Sequence, residues 1–172
     1  PRWRCGRAIL RSIDVYCLGK RWMYHVGAEK GGVVADFLNR AVDAAVAKME
    51  MRSDPNPKPQ SSQSQPPPRK PRFVCAELGT YCGYSAVLLA ATIKERVPPG
   101  LDFRVYSTEI DADHLEVARR IVSLSGLDDH VTLIQFDPSK SRLSDALRER
   151  IAADEEDASA AAAESASASS VD

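Results

Sequence analysis

The chain has 172 residues, 44% of them hydrophobic, enough for one ordinary domain, although two stretches are too polar or too simple to enter a core. Its 23 basic and 24 acidic side chains are interleaved and sum to −1, which offers no field for nucleic acid or an anionic membrane. Cys5, Cys17, Cys75 and Cys82 lack Cys-x-x-Cys spacing and point to free thiols in a reducing compartment, the cytoplasm. No run of eighteen apolar residues spans a bilayer, while the start at Pro1 rather than a methionine leaves room for an upstream anchor or targeting segment.

Along the chain, Ile9, Ile13, Tyr16 and Cys17 have helical spacing, and Val33, Val34, Phe37, Leu38, Val42 and Val46 repeat it more strongly. Two helices are expected, joined near Val26-Gly27, in a helical cap covering residues 1–52. Residues 53–72 hold most of the prolines among serine, glutamine and lysine, the composition of a flexible insert. Residues 73–78 then predict a buried strand, 85–97 a helix ended by Pro98-Pro99-Gly100, and 103–109 a second strand. Residues 113–125 predict a helix stopped at Gly126, 131–136 a third strand, and a last helix runs through Leu143 and Leu147. Strands alternating with helices imply a parallel sheet, so residues 73–152 are expected to form the βα portion of an α/β domain. Residues 153–172 turn acidic and then nearly pure alanine and serine, and without an apolar face they are expected to be disordered. A sheet of three strands leaves an open apolar edge, so aggregation or dependence on a partner is expected of the isolated chain.

The informative segment is Glu77-Leu78-Gly79-Thr80-Tyr81-Cys82-Gly83-Tyr84-Ser85, which writes a strand, a glycine turn and a helix in succession. That order builds a nucleotide-type cofactor pocket: glycine lets the main chain bend and lets a ligand approach it, and the helix start presents N–H groups. Glu77, near the end of the strand, needs a partner for its charge, either a cationic part of a ligand, the loop amides, or a structural hydrogen bond within the turn. Glu109 ends the second strand, where a carboxylate can accept both hydroxyls of a ribose; otherwise it is a capping or solvent-facing acid before Asp111. The turn has Tyr84-Ser85 in place of a third glycine, which favours a compact adenosyl ligand over a dinucleotide.

Together with Ile13-Asp14, Tyr16-Cys17, Trp22, Val26-Gly27 and Lys30-Gly31 upstream, this segment resembles the catechol O-methyltransferases, class I enzymes that use S-adenosylmethionine. The run Gly126-Leu127-Asp128-Asp129-His130-Val131-Thr132-Leu133 continues the resemblance, which covers about residues 9–52 and 73–135. It implies a Rossmann-like, three-layer fold with leading helices. Val26 and Tyr24 would cover the methionine portion of the cofactor. Glu77, Gly79, Tyr81 and Ser85 would line its amino-acid end, Glu109 would hold the ribose, and Ile110 would lie against the adenine. The chain departs from the family where Tyr24-His25 replaces Met-Asn and where Phe136-Asp137-Pro138-Ser139 replaces a Gly-Ala-Ser-Gln-like loop; there Asp137 could accept from the adenine amino group.

The resemblance further implies a catechol-type small molecule as methyl acceptor and magnesium as metal, which would lower the hydroxyl pKa and align the oxygen with the methyl-bearing sulfur. The family's metal ligands, two aspartates and an asparagine, and its lysine base fall on strands later than the third, so no catalytic or metal residue is expected within this chain. Residues 136–142 echo the family's Asp-His-Trp-Lys segment, but the preceding 126–133 run makes them the end of the third strand, and Lys140 is discounted as a base. The alternatives are an O-methyltransferase acting on a different small molecule, or a non-catalytic chain that binds the cofactor or a partner. His25 could touch a substrate or be a surface group, Cys82 could be reactive or a packing residue, and Trp3 and Trp22 fit a helical layer better than an acceptor platform.

Overall fold

Residues 5–20, 23–51 and 71–168 are described by the structure, a computed structural model, with side chains through residue 160. In chain order they form α1 (Cys5–Gly19), α2 (Gly27–Glu50), β1 (Arg72–Leu78), α3 (Tyr84–Arg96), β2 (Asp102–Glu109), α4 (Ala112–Ser125), β3 (Val131–Gln135) and α5 (Leu143–Ala168). Most of the proline-rich insert, and both Trp3 and Trp22, lie outside the described residues. Two compact units divide the chain, Pro1–Gln135 and Phe136–Asp172.

In the first unit the strands lie parallel in the order β1-β2-β3, with Cys75 opposite Val105 and Val105 opposite Val131. Parallel neighbours require crossovers, supplied by α3 and α4. The two-residue period puts Phe73, Cys75, Phe103, Val105, Val131 and Leu133 on one sheet face, and these side chains join the core with the helices. This is the Rossmann-like α/β arrangement. Helix α3 lies at its centre: Ala86, Val87, Ala90, Ala91 and Ile93 are fully buried, because the sheet covers one side and α1 and α2 cover the other. Its alanines let the outer helices come close. Two exposed bidentate pairs tie that outer layer to α3, Arg7 to Glu95 at 3.0 and 2.6 Å and Arg96 to Asp43 at 2.7 and 2.7 Å. On the opposite sheet face β1 is poorly covered, and Leu78 is 65% exposed.

The second unit differs from expectation. Its helix does not stop near Ala152 but continues to Ala168, through residues expected to be disordered. The segment contains neither glycine nor proline and is rich in alanine, which loses no side-chain entropy in a helix. Local bonds add to this: Arg150 meets Asp154 one turn on at 2.8 Å, and the Ser159 hydroxyl donates to the Glu155 carbonyl at 2.8 Å.

His130, just before β3, stacks on Phe103 with centroids 4.2 Å apart and planes at 8°. Lys94 Nζ lies 2.8 Å from its Nε2, so the ring nitrogen must accept, and Nδ1 faces the Phe103 carbonyl at 3.4 Å. Burial, followed by the charge of Lys94, pushes the His130 pKa below its ordinary value. The unfolded imidazole takes a proton more readily, so this contribution to stability is whole above about pH 6.5 and is lost as pH falls through the lower folded value. Thermal melts between about pH 8 and pH 5 are therefore expected to show a steeper loss of Tm for the native chain than for His130→Gln, and equal slopes would refute this.

Candidate cofactor-binding site

The site is built where β1 ends. Three residues of the following turn take left-handed angles: Gly79 (φ 82°), Tyr81 (φ 52°) and Gly83 (φ 84°). The Gly79 and Thr80 amides both donate to the Thr108 carbonyl, at 3.0 and 2.9 Å, folding the turn over the end of β2. Gly83 is required sterically as well, because a Cβ there would come within 3.0 Å of the Ala118 backbone on α4. A Cβ at Gly79 would meet nothing within 4 Å, so the turn is open above this residue.

Tyr81 is the exception among these three, since an L-residue in this region costs about 1–2 kcal/mol. Its N–H is held by Glu109 Oε2 at 2.8 Å, and its ring meets His114 edge-on at 4.5 Å. The other carboxylate oxygen of Glu109 accepts from the Ile110 amide at 2.9 Å and the Asp111 amide at 3.0 Å. Glu109 is thus neither a helix cap nor solvent-facing: it is 8% exposed and bonded to three main-chain donors. The cap of α4 is Asp111, whose side chain accepts from the His114 amide at 2.9 Å.

Register places Glu77 opposite Ser107, and the Ser107 hydroxyl donates to the Glu77 carboxylate at 2.5 Å. Burial raises the Glu77 pKa, the Ser107 hydroxyl opposes that rise, and the charge of Glu109 adds to it. A hydroxyl on the neighbouring strand therefore bonds this acid. The fold brings Glu77, Gly79, Tyr81, Ser85 and Glu109 together at one turn. Val26 is half-buried against the same core cluster as Cys82 and Tyr84, while Tyr24 and Ile110 are exposed. Asp137 and Lys140 belong to the second unit, where they pair at 3.0 Å. Asp137 also accepts from the Ser139 amide at 2.9 Å and hydroxyl at 2.6 Å, which holds its pKa down at about 2.

Sequence reasoning missed one group. His25 is not a surface residue: its Nε2 lies 3.1 Å from Asp14 Oδ1 and its Nδ1 lies 3.1 Å from the Met23 carbonyl. The Tyr84 hydroxyl donates to Asp14 Oδ2 at 3.2 Å. The only signal in the sequence was the presence of Asp14 beside the motif residues. The Cys82 thiol is buried and pushed up by that burial, and the Cys75 thiol is pushed up to about 11, so both behave as packing residues. Among the described residues no group of three or more His, Cys, Asp or Glu side chains could hold a metal ion, and no helix is long and apolar enough to cross a membrane.

No protein-family model matches the chain. Catechol O-methyltransferase of Bos taurus is 30% identical over 128 residues, 74% of this chain and 34% of that protein. The transmembrane O-methyltransferase of Homo sapiens is 42% identical over 123 residues, 72% of this chain and 30% of its own. The chain belongs to the O-methyltransferase family that includes the catechol O-methyltransferases. The match spans about a third of the length of these relatives. Among solved structures, a candidate O-methyltransferase from Klebsiella pneumoniae aligns with a TM-score of 0.43 at 22% identity, covering 77% of this chain and 43% of that one.

Within this chain, Glu77 is an acid held at some expense to stability. Glu77→Gln is expected to raise Tm near pH 7, where it removes a buried charge, with the gap closing as pH falls to about 4 and the native carboxyl protonates in both states. A variant no more stable than the native chain near neutral pH would contradict the effect of burial on Glu77.

Proposed function

We propose that the chain forms the cofactor-binding portion of an enzyme that transfers a methyl group from S-adenosylmethionine to the hydroxyl of a catechol. The observation that carries this reading is the Glu109 carboxylate, immobilised by three backbone amides at the end of β2 beside a turn that is open above Gly79. With three of its roughly four acceptor positions taken by amides, the fixed carboxylate suits a ribose hydroxyl, because no side-chain freedom has to be lost when it binds. Glu77, Gly79, Tyr81 and Ser85 would receive the amino-acid end of the cofactor. Glu77 would meet its ammonium group as a carboxylate already aligned by the Ser107 hydroxyl. Val26 and Tyr24 would cover the methionine portion, and exposed Ile110 would lie along the adenine.

When bound, the cofactor supplies a methyl group on a positively charged sulfur. The residues of this chain hold and orient it, and exclude water by closing the core beneath the turn. Magnesium is proposed for the whole enzyme only. The four free cysteines support a reducing compartment such as the cytoplasm. Because O-methyltransferases other than the catechol enzymes also match, a second reading is transfer to a different small-molecule hydroxyl.

Calorimetric titration of the 172-residue chain with S-adenosylmethionine tests the proposal. Saturable binding is expected, weakened by about tenfold or more in Glu109→Ala, a loss of the size expected for charge-assisted hydrogen bonds. Absence of binding by a demonstrably folded native chain would overturn it.

A further inference from the structure

We propose that His25 is a positioning residue that clamps the loop of residues 23–26 to the start of α3, where the glycine turn ends, by donating from both ring nitrogens. This rests on the cofactor reading of the site, since the clamped loop carries Tyr24 and Val26. The Met23 carbonyl can only accept, and so can the Asp14 carboxylate; each lies 3.1 Å from a different nitrogen of the same ring. A neutral imidazole has one N–H and would turn a lone pair towards one of these oxygens. Only the imidazolium satisfies both contacts. Side-chain exposures of 15% for His25 and 21% for Asp14 leave little water to substitute for a missing bond.

Asp14 extends the clamp across the fold. Its second oxygen takes the hydroxyl of Tyr84, the first residue of α3, and the Tyr84 ring meets His25 edge-on at 5.1 Å and 79°. One carboxylate on α1 therefore joins the loop to the helix that follows the turn. Around Tyr84 the other charged or titratable neighbours are Arg7 and Cys17 of α1. Val26 packs into the cluster that contains Cys82 and Tyr84, and Tyr24, one residue before His25, points into solvent, so the clamp sets where both stand relative to the turn. With both nitrogens donating, His25 keeps no lone pair for an acceptor hydroxyl. It orients the loop and does not act as a base.

Nitrogen-15 NMR of the histidine rings, assigned with His25→Gln, is the first test. Both His25 nitrogens are expected to carry the signature of a protonated ring, lost in Asp14→Asn; a neutral tautomer in the native chain would overturn the proposal. Amide hydrogen exchange reads the clamp without cofactor: His25→Gln and Asp14→Asn are each expected to speed exchange at Tyr24 and Val26 about tenfold while leaving β1 and β2 unchanged. Unchanged loop exchange would overturn it. In S-adenosylmethionine titrations each variant is expected to bind about fivefold more weakly, with the double variant no weaker than either single one, as for two residues acting as a unit. Strictly additive losses would overturn it. A folded native chain that does not bind the cofactor defeats the proposed function alone, because ring protonation and loop exchange still decide the clamp.

Discussion

The arrangement depends most on the carboxylate of Glu109. Three main-chain donors from three directions, Tyr81 in the turn and Ile110 and Asp111 at the approach to α4, converge on one side chain at the end of β2. A buried carboxylate without such donors would be costly, and a tyrosine at φ 52° without a fixed acceptor would relax to an ordinary conformation. Each makes the other possible. The glycines on either side of Tyr81 then serve distinct purposes: Gly83 admits α4 to the turn, and Gly79 leaves the turn open.

Two acids lie near each other in this site and are treated differently. Glu109 is bound by backbone amides, whereas Glu77 takes the Ser107 hydroxyl, which only partly offsets its burial. Under the proposed function, one acid is a fixed acceptor and the other meets the positive charge of the ligand. Local stability is spent where a ligand can restore it, as is common at binding sites.

The outer helices do more than cover α3. Arg7 and Asp43 hold them to its exposed end residues Glu95 and Arg96, and Asp14 reaches its first residue, Tyr84. Both ends of α3 are therefore tied to the outer layer. The end at Tyr84 is also where the loop of residues 23–26 meets the turn, so the N-terminal helices bear directly on the site although they contribute no strand to the sheet.

The order of strands and helices was legible in the sequence because apolar periods of 2 and 3.6 residues record which face of each element is buried, and the glycine turn was legible because few residues other than glycine tolerate its angles. The position of Glu109 at a strand end was equally plain. By itself the sequence determined the parallel βα order, the place of the turn and the two acids beside it. Only the tertiary structure decided what those acids bond to: Ser107 faces Glu77 through strand register, and Tyr81 faces Glu109 through the curl of the turn. It also decided that His25, written in a polar loop, would lie partly buried against Asp14 and Tyr84, residues 11 and 59 positions away along the chain (25 − 14 and 84 − 25). Composition misjudged the alanine-rich segment for a related reason: it reports whether residues have a core to join, while a helix without one persists here on backbone bonds and neighbours one turn apart. Periodicity records burial along one element, but a hydrogen-bond partner on another element is chosen by how the elements meet in space.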